Sequence, residues 1–376
     1  MKHIKETKMV REFTPNWFAV NMGTGVLALI LFRFSITLGF LFPIGAALAA
    51  INVLLFCLFL GLFMSRFVFY PKHFLLLIQH PVQSLSLGSL PMGLSVIANC
   101  FIAFGIPCLG VAAAVHIAAV LWWIVVCLAL FISWLIPICM FLMHEHTEES
   151  MTPMWLLPLV ACEVAAGTGG LLIPYLAEFI RSFAYLVSMS LWAISVFLAF
   201  AVIGMFFRRM VLHSLPGRNF APSIWLILGP IGTGAYALLS LGHASSSISP
   251  VASENFQQML TLFPGLALWG AIFLWGFGFW WLVIALIASF YYWYQKIPFG
   301  LGWWAYTFPL GVYSLASLEL AQQTHSLLFW IVAITASVLL LVFWCLISLL
   351  TLFGACKRDL FYAPCLVVPP KRKTLP

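Results

Sequence analysis

The chain has 376 residues, of which 64% are apolar or aromatic and only 7% are charged. A soluble domain carries roughly 25% charged residues, so this composition excludes a water-soluble globular protein. The formal net charge of +7 does not indicate a nucleic-acid partner, because the basic residues are spread over short loops and tails.

Long apolar segments occur throughout the chain. Residues 38–62, 111–143, 262–290 and 326–353 each contain 25 or more positions with almost no charge, and a helix needs roughly 20 to cross a bilayer. They lack the alternation of barrel strands, so helices are favoured. We predict an all-α polytopic membrane protein with ten transmembrane helices in residues 14–355, between an N-terminal tail at 1–13 and a C-terminal tail at 356–376.

The basic residues predict the orientation in the lipid bilayer. Counted between the predicted spans, fifteen of the 17 Lys and Arg residues fall on one side and only Arg33 and Arg181 on the other. Basic loops stay in the cytoplasm, so both termini are expected there. No removable signal peptide is recognisable, and the compact tails suit a bacterial inner membrane.

A short signature recurs five times, always in an odd-numbered span. It consists of Pro or Asn, an apolar residue and usually Gly, and its copies begin at Asn21, Pro91, Pro158, Pro230 and Pro309. The spacings of 70, 67, 72 and 79 residues each fit one pair of helices, so we predict five parallel helical-hairpin repeats around a central pore. Pro removes a helix hydrogen bond, so the odd helices are expected to be kinked and to line that pore, although Pro and Gly also serve packing in membrane helices.

Neutral polar and small residues near the signature are the candidates for the pore lining. A pore lined by hydroxyls, amides and helix N-termini suits anions better than cations, because helix N-termini carry partial positive charge. The predicted lining residues are Asn21, Gly23, Thr24, Pro91, Gly93, Ser95, Pro158, Pro230, Gly232, Thr233, Pro309, Gly311 and Ser314.

Phe308 is the candidate gate of this pore. It precedes Pro309, and the equivalent residues in the other four repeats are not aromatic: Val20, Leu90, Leu157 and Gly229. A hydrophobic side chain on the pore axis blocks or dewets the passage. The alternative is ordinary packing, since the chain contains 35 Phe residues.

Three charged residues lie within or beside the predicted spans. Glu163 follows Pro158 by five residues, where the other repeats have Val26, Val96, Ala235 and Ser314. An acid inside a membrane span is a functional candidate, here for proton coupling, with a structural hydrogen bond as the alternative. Arg33 and Arg181 place charge at the outer mouth, where they attract anions or extend to the membrane interface.

Other kinds of site are not expected. The loop sequence HEHTEE at residues 144–149 lacks the spacing of a zinc motif, so no metal site is predicted. The sequence contains no phosphate-binding loop, dinucleotide fingerprint or nucleophile elbow. We therefore predict neither an enzyme nor a cofactor.

Several segments together resemble the tellurite-resistance/dicarboxylate transporter family, which includes malate permeases, sulfite efflux pumps and plant slow anion channels. They are TPNWF at 14–18, MGTG at 22–25, HPV at 80–82, PMG at 91–93, TPMWLLP at 152–158, LGP at 228–230 and GWWAYTFPLG at 302–311. The resemblance implies a homotrimer of separate pores, each occluded by a Phe of the ninth helix, here Phe308. Glu163 departs from the family pattern, which is apolar or Pro-containing there.

The function expected from the residues and the resemblance is transport of small anions. C4-dicarboxylates such as malate are the first candidate, through a Phe-gated pathway that is either passive or proton-coupled, with Glu163 as the candidate proton carrier. Export of sulfite or of a toxic oxyanion such as tellurite is the alternative, with chloride as a further small anion. A membrane scaffold or receptor without transport is the alternative of another class.

Overall fold

The computed structural model describes residues 9–248 and 253–361 of the chain. Ten long helices occupy these ranges. They are α1 (Phe18–Ser35), α2 (Leu41–Phe69), α3 (Ser89–Cys100), α4 (Val111–Leu142), α5 (Leu157–Leu172), α6 (Glu178–His213), α7 (Leu228–Ser245), α8 (Glu254–Trp293), α9 (Phe308–Thr324) and α10 (Leu327–Lys357). Within the described ranges, nine segments are long and apolar enough to cross a membrane, and α9 is the shorter tenth helix with 17 residues.

A 3-10 segment precedes each odd-numbered helix. These segments are Pro15–Trp17, Ser84–Gly88, Pro153–Leu156, Arg218–Ile227 and Leu301–Tyr306. The signature prolines occupy the second or third residue of the α-helix that follows. Proline is tolerated there because the first-turn N–H groups have no partner within the helix.

The predicted kink at these prolines therefore does not lie inside the α-helices, and no bend of the spans is measured at them. The break lies at the start of the α-helix, where the 3-10 segment ends. Prolines inside a long helix occur instead in even-numbered helices, Pro137 in α4 and Pro264 in α8. One further irregularity follows α3, where Phe101–Gly105 forms a π-helical turn.

The ten helices form two concentric rings. In the inner ring each odd helix contacts the next, in the order α1, α3, α5, α7, α9, and α9 returns to contact α1. The even helices pack outside this ring, each against the inner helices beside it. Their spanning windows are only 28% to 39% buried, against 61% to 89% for the inner spans α1, α3, α5 and α7. The predicted five hairpins around a central axis are confirmed, and the outer ring presents the lipid-facing surface.

Close approach of the inner helices depends on glycines of the signature. A Cβ at Gly232 of α7 would lie 2.7 Å from the backbone nitrogen and 2.8 Å from the Cα of Tyr313 in α9. A Cβ at Gly23 of α1 would lie 2.2 Å from the Oγ1 of Thr307, just before α9. These glycines let the backbones of α1, α7 and α9 pack directly against their neighbours, as small residues do in membrane bundles.

Candidate functional site

Three cavities follow one another along the axis of the inner ring. We call the side of the bundle where the odd helices begin the N-face, and the side where they end the C-face. The N-face cavity has a volume of about 80 Å³ and is lined by the starts of all five inner helices, for example Met22, Ser89, Leu157, Leu226 and Phe308. The central cavity has about 20 Å³ and the C-face cavity about 340 Å³.

Phe308 separates the N-face cavity from the central cavity. It is the first residue of α9, is 4% exposed, and is the residue that lines both cavities. The preceding turn is fixed, since the Thr307 hydroxyl donates to the Trp304 carbonyl at 2.7 Å. The central cavity, on the other side of the Phe308 side chain, has room for roughly one water molecule. The axis is therefore closed at Phe308 in this conformation.

A second narrowing separates the central cavity from the C-face cavity. Four residues line both spaces, one from each of α1, α3, α7 and α9: Leu29, Asn99, Tyr236 and Leu315. Asn99 and Tyr236 are 8% and 9% exposed. Anything that moves along the axis has to pass these two polar side chains.

The electrostatic character of the N-face comes from the helices themselves. All five inner helices begin there, and none of them has a side-chain cap at its N-terminus. Parallel helices add their partial positive charges at their N-terminal ends. The N-face mouth of the axis is therefore favourable for an anion, although the described lining of the N-face cavity contains no Lys or Arg.

Most of the predicted lining residues lie at helix contacts instead of on the axis. Of the thirteen, Thr233 and Pro309 line an axial cavity. The other polar candidates bond to neighbouring helices: Asn21 to Asn52 at 3.0 Å, Thr24 to Trp344 at 3.1 Å, Ser95 to Thr168 at 2.6 Å and Ser314 to Ser337 at 2.6 Å. The remaining candidates, absent from the three cavity linings, are Gly23, Pro91, Gly93, Pro158, Pro230, Gly232 and Gly311.

Besides Phe308 and Thr233, the central cavity is lined by residues that the sequence analysis did not select. They are Val26, Leu29, Val96, Val164, Gly167, Val312 and Leu315, with the polar Asn99, Thr168 and Tyr236. Their distance along the chain from the signature is the sequence feature that could have identified them. The axial residue follows the signature by five positions in α1 and α3, at Val26 and Val96, but by six in α5, at Val164.

This shift by one residue turns Glu163 away from the axis. Glu163 is fully buried, and its Oε2 accepts a hydrogen bond from Ser195 of α6 at 3.2 Å. Its Oε1 lies against α7, 2.4 Å from where a Cβ of Gly234 would be, and has no hydrogen-bond partner in the described ranges. The carboxyl group thus sits between α5, α6 and α7, and its predicted role in proton coupling would act through helix packing rather than by contact with a passing anion.

The two predicted outer-mouth arginines have different surroundings. Arg181 donates to the carbonyl oxygens of Leu176 at 2.8 Å and Ser247 at 3.0 Å, which ties two C-face loops together. It does not belong to the lining of the C-face cavity, whereas Arg33 does. The Arg33 guanidinium is paired with the carboxylate of Glu319 in α9.

The histidine-rich loop at residues 144–149 serves as a connection at the N-face. His144 Nε2 lies 2.9 Å from the Ile78 carbonyl. Hydrogen bonds from His213 and Arg208 lower the pKa of Glu148 below its ordinary value. No group of three His, Cys, Asp or Glu residues suited to a metal ion occurs in the part of the chain that the structure describes.

Comparison with known proteins identifies the architecture. Residues 12–352 match the family described as SLAC1, voltage-dependent anion channel. The chain belongs to this family. The resemblance seen in the sequence is thereby confirmed, and members of the SLAC1 family are channels or transporters rather than enzymes.

Curated relatives within the SLAC1 family extend over most of the chain. "Sulfite efflux pump SSU1" of Arthroderma otae is 34% identical over 94% of this chain and 93% of its own length. An "uncharacterized transporter" of Methanocaldococcus jannaschii is 31% identical over 84% of this chain and 86% of its own. "Malic acid transport protein" of Schizosaccharomyces pombe is 24% identical over 96% and 82%. The chain is therefore an anion transporter or channel of the SLAC1 family.

Proposed function

We propose that this protein moves sulfite across the membrane along the axis of the inner ring, with Phe308 as the gate. The observation that carries the proposal is the position of Phe308, which fills the boundary between the N-face and central cavities. Movement of the Phe308 phenyl ring would join the N-face cavity to the central cavity, which lie on the same axis. The five helix N-termini at the N-face favour an anion at the entrance.

Sulfite is preferred over malate for two reasons. Relatives named for sulfite efflux reach 34% identity, although one of them is 23% identical, and the relative named for malic acid transport is 24% identical. The central cavity of about 20 Å³ has to widen for any anion, and a compact three-oxygen anion requires less widening than a four-carbon dicarboxylate. Malate remains the second candidate, because the C-face cavity of about 340 Å³ accommodates a molecule of that size.

The lining of the central cavity supports selectivity by size and dehydration rather than by charge. Its lining combines aliphatic side chains with the hydroxyls of Thr168, Thr233 and Tyr236 and the amide of Asn99. Neutral donors replace part of an anion's hydration shell without holding it tightly, which conduction requires. We further propose that the N-face opens to the cytoplasm, since the basic loops lie on that side.

The substrate is tested by flux into liposomes that contain the purified protein. Labelled sulfite is expected to move about tenfold faster than labelled malate at equal concentration, a difference of about 1.4 kcal/mol in barrier height. Liposomes without protein give the background for each anion. A higher malate rate would reject sulfite as the preferred substrate, and no flux of either anion, nor of chloride, would reject the transport proposal.

Glu163→Gln tests the coupling role of the buried carboxyl group. Because Glu163 is off the axis and a Gln amide fits the same space beside Ser195, sulfite flux is expected to stay within about twofold, under about 0.5 kcal/mol in barrier height. The flux is measured with and without a proton gradient. Loss of gradient dependence in the Gln variant alone would contradict a structural role and establish Glu163 as the coupling residue.

A further inference from the structure

The C-face cavity contains one ion pair that joins the first and last helices of the inner ring. Arg33 in the last turn of α1 donates from Nη2 to the Glu319 carboxylate and, at 3.0 Å, to Gln322 Oε1. Glu319 also accepts from Gln323 at 3.0 Å. Both side chains of the pair are about one-fifth exposed, 22% for Arg33 and 21% for Glu319. Gln322 thus holds the Arg33 side of the pair and Gln323 the Glu319 side, while both charged groups still face the cavity.

Two buried atoms on the same cavity wall have no hydrogen-bond partner among the described residues: the donor Nε of Arg33 and the acceptor Oδ1 of Asn99. Asn99 is more than nine-tenths buried. Tyr236, which is also more than nine-tenths buried, lines the cavity from α7. Buried polar groups of this kind normally have a partner. An oxyanion accepts a hydrogen bond from the Arg33 Nε, and a protonated oxyanion also donates one to the Asn99 oxygen, so these two atoms indicate a polar ligand at the narrowing.

The charges of the cavity determine what that ligand is. Its charged lining residues are Arg33 and Glu319, and His243 is the other titratable basic group. A guanidinium binds a carboxylate and an oxyanion with the same planar fork of N–H donors. The Glu319 carboxylate therefore occupies the place on Arg33 that a free oxyanion would take.

We propose that Arg33, Asn99 and Tyr236 form an oxyanion-binding site on the C-face cavity, and that Glu319 is its resident, tethered competitor. An oxyanion that moves along the axis displaces the Glu319 carboxylate from Arg33, and the carboxylate returns when the oxyanion leaves. The return of Glu319 prevents tight retention, which a transport pathway has to avoid. This inference rests on the proposed function, because it assumes that oxyanions reach the axis.

Opposite effects of two charge-removing variants test the site. In a Phe308→Ala background, Glu319→Gln is expected to lower the half-saturating sulfite concentration about tenfold, and Arg33→Gln to raise it about tenfold, each equal to about 1.4 kcal/mol of binding free energy. The double variant is expected to resemble Arg33→Gln. Glu178→Gln, which removes a carboxylate at the start of α6 away from this cavity lining, serves as the control and is expected to change nothing.

A purely structural clamp between α1 and α9 predicts something else. In that case both single variants weaken the same helix contact and shift the half-saturating concentration in the same direction, or leave it unchanged, and either outcome would overturn the proposal. Variants that fail to reach the liposomes are compared by a second measurement, the rise in thermal unfolding midpoint of the detergent-purified protein on addition of sodium sulfite. That rise is expected to be larger than wild type in Glu319→Gln and absent in Arg33→Gln.

The two measurements also separate failure of this site from failure of the proposed function. If no variant moves sulfite, including Phe308→Ala alone, the proposed function fails. The midpoint measurement still decides the binding site, because it requires no movement along the axis. Equal midpoint rises in all variants would assign sulfite binding elsewhere and overturn the site.

Discussion

Replacing Phe308 by alanine is expected to raise sulfite flux at least about tenfold, which corresponds to a barrier lower by about 1.4 kcal/mol. The physical reason is that the Phe308 ring separates two aligned cavities and is 4% exposed. Truncation to a methyl group joins the N-face cavity to the central cavity. The flux is measured as uptake of labelled sulfite into liposomes, normalised to the protein incorporated.

The matched control is Phe206→Ala. Phe206 is equally buried, at 0% exposure in the outer helix α6, and lines none of the three axial cavities. It is expected to reduce stability, because a buried Phe has been truncated, and to leave flux per folded molecule unchanged. Phe308→Leu, which keeps part of the side-chain volume, is expected to give an intermediate flux. A Phe308→Ala flux no higher than wild type would remove Phe308 as the gate.

Gly232→Ala is expected to destabilise the protein by about 1–3 kcal/mol, the usual cost of an overpacked contact. The new Cβ would lie 2.7 Å from the backbone nitrogen of Tyr313, and backbone cannot move aside as a flexible side chain can. Helices α7 and α9 would therefore have to separate. Since Phe308 begins α9, the gate is expected to leak in the same variant. The measurement is the thermal unfolding midpoint of the purified protein.

Gly265→Ala is the control for this effect. Gly265 lies in the outer helix α8, and nothing is within 4 Å of the position that its Cβ would take. Alanine has a higher helix propensity than glycine, so this change is expected to be neutral or slightly stabilising. Equal midpoints for the two variants would show that α7 and α9 are not held together by direct backbone contact at Gly232.

The arrangement of the helices was predictable from the sequence because the repeated signature begins with Pro in four of its five copies, and few positions in a helix accept Pro. Proline at the second or third position of an α-helix marks a helix start, and its near-constant spacing requires one helix pair per repeat. The same residues did not show how each span begins. The signature prolines lie where a 3-10 segment passes into an α-helix, and the 3-10 segments before the odd helices carry no strong pattern of their own.

The lining of the axis was less predictable, for a reason that applies to membrane proteins generally. Polar side chains in an apolar bundle lose hydration and therefore bond to neighbouring helices. Asn21 and Ser314 accordingly face the outer helices α2 and α10. Half of the residues that line the central cavity are Val or Leu, which cannot be distinguished by type from lipid-facing Val and Leu. Phe308 could be selected because it differs from its four repeat equivalents, and its position between two cavities supports the proposed gate.

The pairing of Arg33 with Glu319 could not be predicted from the sequence, because it depends on closure of the inner ring of helices. The two residues are separated by 286 positions, and they meet because α9, the last inner helix, returns to α1, the first. Nothing in either local sequence indicates this contact. Glu163 shows the effect of a register shift, since residues five positions after the signature line the central cavity in α1 and α3, whereas Glu163 bonds to Ser195 of α6 instead.

The central claim is that the pathway follows the axis and is closed by Phe308, and a cysteine at Val312 tests it most directly. Val312 lines the central cavity and is 5% exposed. In a version of the protein without its nine native cysteines, the rate at which Val312→Cys reacts with a charged aqueous thiol reagent added at the N-face is measured with and without Phe308→Ala. The account predicts slow labelling with Phe308 and fast labelling without it, whereas equal rates in both backgrounds would contradict it.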